Sequence, residues 1–178
     1  ALISDTGMRL AEAVGLSKDD LKLNDGVPHV VIRKHPWRPI KTSESERVIP
    51  LVGAALWAAQ RLSGTVSGEF LFPQYVDGIS TNANSASAAL NKWMKTFLPK
   101  ECVVHGMRHA FRDRLRAVNA PMDMIDQLGG WSLPTVGQAY GEGFKIQKQF
   151  KVISQIEMGH DERFYNKHPV ASVVSLSG

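Results

Sequence analysis

His105-Gly106-Met107-Arg108-His109-Ala110-Phe111, then Leu128-Gly129-Gly130-Trp131-Ser132 and, nine residues after the tryptophan, Tyr140, form the stretch that decides how this chain is read. A histidine and an arginine three positions apart fall on one face of a helix, where both can converge on a single phosphate. A tyrosine further along supplies a hydroxyl that can attack that phosphate. Tyr140 is followed by Gly141-Glu142-Gly143, a flexible element that lets a nucleophile swing. The other two tyrosines, Tyr75 and Tyr165, have no His-x-x-Arg arrangement nearby and read as packing or surface aromatics.

The motif sits on a predicted helix over Val104–Val118. Pro121–Leu128 forms the next, with Pro121 suited to its first turn, and Gly129-Gly130 marks a sharp break. Upstream, Ser85–Phe97 is an amphipathic helix whose stripe of Leu90, Trp93, Met94 and Phe97 is expected to face the core, and Gly53–Leu62 has helical spacing. Ile3–Val14 reads as one helix stopped by Gly15. That helix is already under way where the chain begins, so the start is expected to be a cut end. Ser17–Asp20 resembles a capped turn. Pro28–Lys34 and Arg47–Leu51, rich in valine and isoleucine, read as a hairpin whose long basic loop holds Pro36 and Pro39, with Phe70–Pro73 as a short third strand. Lys145–Ile156 closes the set of helices. The expectation is an α+β domain, mainly α-helical with a small antiparallel β-sheet, over residues 1–159, and a C-terminal tail over 160–178.

Composition sets outer bounds. The 178 residues suit one domain able to bury a core, and no apolar run approaches the roughly 20 residues of a membrane span. No signal peptide opens the chain. The single cysteine, Cys102, excludes an internal disulfide and fits a reducing compartment, where it reads as a small hydrophobe. A net charge of +4 is compatible with a polyanionic partner. Two local concentrations stand out: Arg33, Lys34, Arg38 and Lys41, and the run Arg108, Arg112, Arg114 and Arg116. His105 and His109 lack the adjacent glutamate of a zinc protease helix, and the glycines form neither a Walker loop nor a dinucleotide fingerprint. Neither a metal nor a cofactor is expected.

Three pieces in order resemble the catalytic domain of the tyrosine recombinases, the phage-integrase type. They are Thr6-Gly7-Met8-Arg9-Leu10-Ala11-Glu12, similar to the first-arginine box; Lys41-Thr42 through Arg47-Val48-Ile49-Pro50-Leu51, similar to the lysine hairpin; and the opening stretch, similar to the second box. The likeness runs from Thr6 to about Phe150. It implies the tyrosine recombinase catalytic-domain fold and metal-independent cleavage and rejoining of double-stranded DNA through a covalent 3′-phosphotyrosyl bond.

The chemistry explains the residue types. A five-coordinate phosphorus carries extra negative charge, which fixed guanidinium groups stabilise bidentately without a metal. Arg9 and Arg108 are the expected clamp and Tyr140 the nucleophile. His105 either accepts the phenol proton or hydrogen-bonds a phosphate oxygen. The resemblance implies that Lys41 protonates the departing 5′ oxygen, with Lys34 of the same hairpin as the alternative. Trp131, where many members carry histidine, can donate one indole N–H but cannot shuttle a proton. Glu12 is expected to orient Arg9, and His109 to pack and hydrogen-bond behind the site. The resemblance further implies a tetramer in the DNA synapse, possible as a monomer when free, acting on DNA in the bacterial cytoplasm. The alternatives are a type IB topoisomerase, which the short Trp131-to-Tyr140 spacing disfavours, and a non-cleaving DNA-binding module.

Overall fold

The structure is a computed structural model that describes residues 1–40, 45–131 and 143–156. Lys41, Tyr140 and the tail over 160–178 lie outside the described residues, as does the expected boundary at residue 159. The elements in chain order are α1 (Leu2–Thr6), α2 (Leu10–Val14), β1 (Leu21–Lys22), β2 (His29–Ile32), β3 (Arg47–Pro50), α3 (Gly53–Thr65), α4 (Ala83–Met94), α5 (Gly106–Ala117), α6 (Met122–Gly129) and α7 (Ile146–Ile153). The fold is mainly helical with a small antiparallel sheet, and no described helix is long and apolar enough to cross a membrane.

The sheet is built on the expected hairpin. β2 pairs with β3 antiparallel, placing Val30 opposite Ile49 and Ile32 opposite Arg47. Side chains alternate between faces along a strand, so the face that buries Val30, Ile32 and Ile49 completely also receives Arg47. The third strand is β1, paired with β2 through Leu21 opposite Val30. Phe70–Pro73 does not join the sheet; Phe70 makes only an isolated bridge to Ser17, and the chain then enters a 3-10 turn at Pro73–Tyr75.

The expected helix over Ile3–Val14 is two helices. Gly7 ends α1 with φ 61°, in the left-handed region, and its N–H bonds the Ile3 carbonyl at 2.9 Å. A Cβ there would fall 2.3 Å from the Phe111 ring, so the break is needed to seat α5 against α1. Left-handed strain of about 1–2 kcal/mol adds to about 1–3 kcal/mol for the overpacking. Thermal unfolding is therefore expected to show Gly7→Ala destabilised by roughly 2–5 kcal/mol, and Gly26→Ala, where a Cβ meets open space, changed by no more than about 0.5 kcal/mol. Equal effects of the two would remove this account of the break.

Met8, Leu16, Val30, Ile49, Leu51, Phe111, Leu115, Ile125 and Leu128 are fully buried members of one core. On α5 the inward positions are Arg108, Phe111 and Leu115, so the stripe that anchors the helix also carries its arginine inside. The apolar stripe of α4 departs from expectation. Ala86 and Met94 are buried and Leu90 half-buried, one turn apart along the face toward α2, while Trp93 and Phe97 are 60% and 56% exposed. α4 ends at Met94, before Phe97, and the two rings meet edge to face at 4.6 Å. Trp93 borders an apolar groove of about 470 Å³ shared with Leu2, Leu10, Trp57 and Phe72.

Candidate active site: three arginines on the end of α6

α6 ends in a reciprocal pair of main-chain bonds around Gly130, whose φ is 60°. The Trp131 N–H reaches the Asp126 carbonyl at 3.0 Å and the Gly130 N–H reaches Gln127 at 3.4 Å, the Schellman pattern that closes a helix. The three carbonyls that follow would lack intrahelical partners. Each is taken by a different arginine. Arg47 Nε donates to Leu128 at 2.9 Å, Arg108 Nη2 to Gly129 at 2.8 Å, and Arg9 Nη2 to Gly130 at 2.7 Å. Cations at a helix C-terminus also oppose the negative end of its dipole.

The same side chains are tied to one another. Arg9 is the N-cap of α2, and its extended backbone points its N–H at Glu12 Oε2, 2.7 Å away, while its Nη1 meets Glu12 Oε1 at 2.8 Å. Arg47 approaches that carboxylate from β3, with Nη1 to Oε1 at 3.1 Å and Nη2 to Oε2 at 2.7 Å. Arg108 also donates through Nη1 to the Gly7 carbonyl. The structure places Glu12 against Arg9 through two hydrogen bonds and adds Arg47, which is not among the expected site residues. A signal for it exists: Arg47 stands two positions before Ile49 on a strand, hence on Ile49's inward face.

Burial and then the adjacent Arg9 guanidinium push Arg108 down to about 10, which leaves it cationic at neutral pH. The Glu12 carboxyl is pushed up by its burial, but hydrogen bonds and charge from Arg47, with hydrogen bonds from Arg9, outweigh that and hold it below the ordinary carboxylate value. A depressed carboxylate contributes stability that is fully present above the ordinary value of 4.5 and is lost as the pH falls through the lowered one. Glu12→Gln, which leaves Arg47 buried without its counter-charge, is expected to cost roughly 3–5 kcal/mol at neutral pH. Denaturant unfolding should show that gap narrowing as the pH falls from about 5 to about 3. A gap constant over that range would mean the carboxylate charge contributes nothing.

Trp131 packs close against the glycine break: a Cβ at Gly129 would fall 1.8 Å from the indole. The guanidinium groups of Arg108 and Arg112 stand 4.7 and 4.9 Å from its ring centroid. His105 occupies the N-cap position of α5 and is exposed, and it lines a cavity of about 220 Å³ with Arg108, Met8, Asn84 and Ser87. The structure thus brings His105 and Arg108 to one cavity, as the three-residue spacing requires. His109 is exposed, its ring edge-on to that of His105 at 5.0 Å, rather than packed inside.

Several members of the two basic concentrations are tied up inside the protein. Arg38 is almost fully buried, bonding the Glu12 main-chain carbonyl at 2.8 Å and the Arg33 carbonyl at 2.7 Å. The buried Asp20 accepts from Arg33 and His35, each at 2.9 Å. Arg114 ties α5 to Asp5 at 3.0 Å and to the Ile156 carbonyl at 2.9 Å, and Arg112 contacts Asp126. Lys34 and Arg33 stay exposed, the Lys34 main-chain N–H donating to Glu46.

The model of the Phage integrase family matches residues 1–144, and the chain belongs to that family. No curated protein matches the chain. Among solved structures, the integrase of the Tn1549 transposon, determined in complex with transposon right-end DNA, is similar at 20% identity and a TM-score of 0.48. That likeness covers 96% of this chain and 57% of the integrase's.

Proposed function

We propose that this chain is the catalytic part of a site-specific DNA recombinase that breaks and rejoins strands by transesterification. The Tyr140 oxygen attacks a phosphodiester, forming a 3′-phosphotyrosyl bond as the bond to the 5′ oxygen breaks. A 5′ hydroxyl from another strand reverses the step. The ester conserves the bond energy, so no nucleotide cofactor is needed.

The observation that carries this reading is the placement of Arg9 and Arg108 on the neighbouring carbonyls of Gly130 and Gly129. A guanidinium has five N–H groups, and each of these two commits only two of them among the described residues. The remainder can address phosphate oxygens. Arg47 and Glu12 neutralise each other, so the pair presents two positive charges to a phosphorane that develops two negative ones. Lys41 protonates the leaving 5′ oxygen. His105 hydrogen-bonds a phosphate oxygen or takes the phenol proton, and Trp131 contributes its indole N–H. Exchange between two duplexes takes four cleavages and therefore four copies of the site.

The test is to incubate the protein with a pool of nicked duplexes of randomised central sequence, from which the short strand beyond the cut diffuses away. A covalent protein–DNA species on a denaturing gel, linked through tyrosine, is expected. A protein that binds the pool and leaves no such species would sink the proposal.

A further inference from the structure

We propose that Arg47 is a positioning residue of this site, fixing Glu12, and through it Arg9, in register with the end of α6. The inference rests on the function proposed above. Arg47 is 7% exposed and commits four of its five N–H groups to protein: one to Leu128, two to the two oxygens of Glu12, and one to the Ser45 carbonyl at 2.7 Å. Little is left with which to hold DNA. Its three partners belong to three different parts of the site. Glu12 holds Arg9 by two hydrogen bonds. Leu128 begins the run of carbonyls that carries Arg108 and Arg9 and leads to Trp131. Ser45 stands four residues after Lys41 in the chain.

The surroundings are shaped for this guanidinium. Its inward direction follows from strand alternation, opposite Ile32 in the sheet. A Cβ at Gly130 would lie 2.6 Å from Arg47 Nη1, so the second glycine of the break clears its place as the first clears the indole's. A lysine keeps the charge but has no planar fork and cannot meet both carboxylate oxygens while reaching Leu128 and Ser45. With Glu12 held from one side only, the Arg9 guanidinium loses its fixed plane, and a displacement of an ångström at a charge-stabilising group is costly.

The experiment measures single-turnover cleavage of the nicked duplex pool, and binding of an intact duplex in a Tyr140→Phe background, for Arg47→Lys and for Ile49→Val. Ile49→Val is a core control that lowers stability on the same strand without touching the network. Cleavage by Arg47→Lys is expected to fall on the order of 10- to 100-fold, with duplex affinity within about threefold of the parent. Ile49→Val should cleave like the parent at a temperature where both variants are folded by circular dichroism. Arg47→Lys cleaving within about twofold of the parent overturns the proposal, as does an equal loss in Ile49→Val at matched unfolding temperature. Should Arg47→Lys fail to fold, Glu12→Gln breaks the same link and must show the same loss of cleavage; its retention of parental cleavage overturns the proposal. A parent protein that forms no adduct overturns the proposed function and this inference together, whereas a parental adduct with an unaffected Arg47→Lys overturns this inference alone.

Discussion

Tyr140→Phe is expected to leave no covalent protein–DNA adduct, a fall of at least about 10³-fold in single-turnover cleavage, while binding to an intact duplex stays within about threefold. The substitution removes the oxygen that would bond phosphorus and keeps the ring, so contacts that hold DNA through phosphates are untouched. Arginines that stabilise charge have nothing to stabilise without a nucleophile. Binding by gel shift and adduct by denaturing gel separate the two roles. An adduct that survives would move the nucleophile elsewhere, and the structure makes Tyr75 a poor substitute. It closes the 3-10 turn Pro73–Tyr75 and lines the apolar groove beside Trp57 and Phe72, whereas His105 and Arg108 line a different cavity.

Arg108→Lys is the second large effect expected: cleavage should fall by roughly 10²- to 10³-fold, the scale of removing one preorganised donor from a site where charge develops. The guanidinium bridges the Gly7 and Gly129 carbonyls and still keeps N–H groups for a phosphate. An ammonium is a point charge that cannot span these carbonyls and a phosphate in one plane. Each carbonyl left buried without a partner adds about 1–3 kcal/mol of destabilisation, so unfolding temperature should fall with activity. The diagnostic is cleavage measured well below that temperature. A variant that is folded there and cleaves at parental rate would remove Arg108 from the clamp.

Much of the fold was legible because it is written locally. The hairpin's valine and isoleucine alternation, the helix carrying His105 and Arg108, and the glycine break at Gly129-Gly130 are features of a few consecutive residues, and each lies where expected. What escaped depends on partners far along the chain. Nothing near Gly7 announces that Phe111, more than a hundred residues later, will fill its missing Cβ. The exposure of Trp93 and Phe97 turns on which face of α4 meets α2 and on the helix ending before Phe97, which a stripe of apolar residues does not disclose. Charge misled in a related way. Arg38, Arg47 and Arg114 count as surface residues in any composition, yet buried carboxylates and carbonyls draw them inward. For Arg47 the alternation with Ile49 carried the answer, and the sign of the side chain obscured it. The roles of Lys41 and Tyr140 rest on motif order, since both lie outside the described residues.

The arginine-held end of α6 dictates where the chain tolerates a change in length. One residue inserted within α6 would turn the Leu128, Gly129 and Gly130 carbonyls by about 100° and advance them by about 1.5 Å. All three guanidinium contacts would be lost at once, because they arrive from β3, α5 and the start of α2, which have no reason to follow. Beyond Trp131 these contacts impose no such count. Insertions and deletions among relatives should therefore be absent between Met122 and Gly130, a segment measured in single residues.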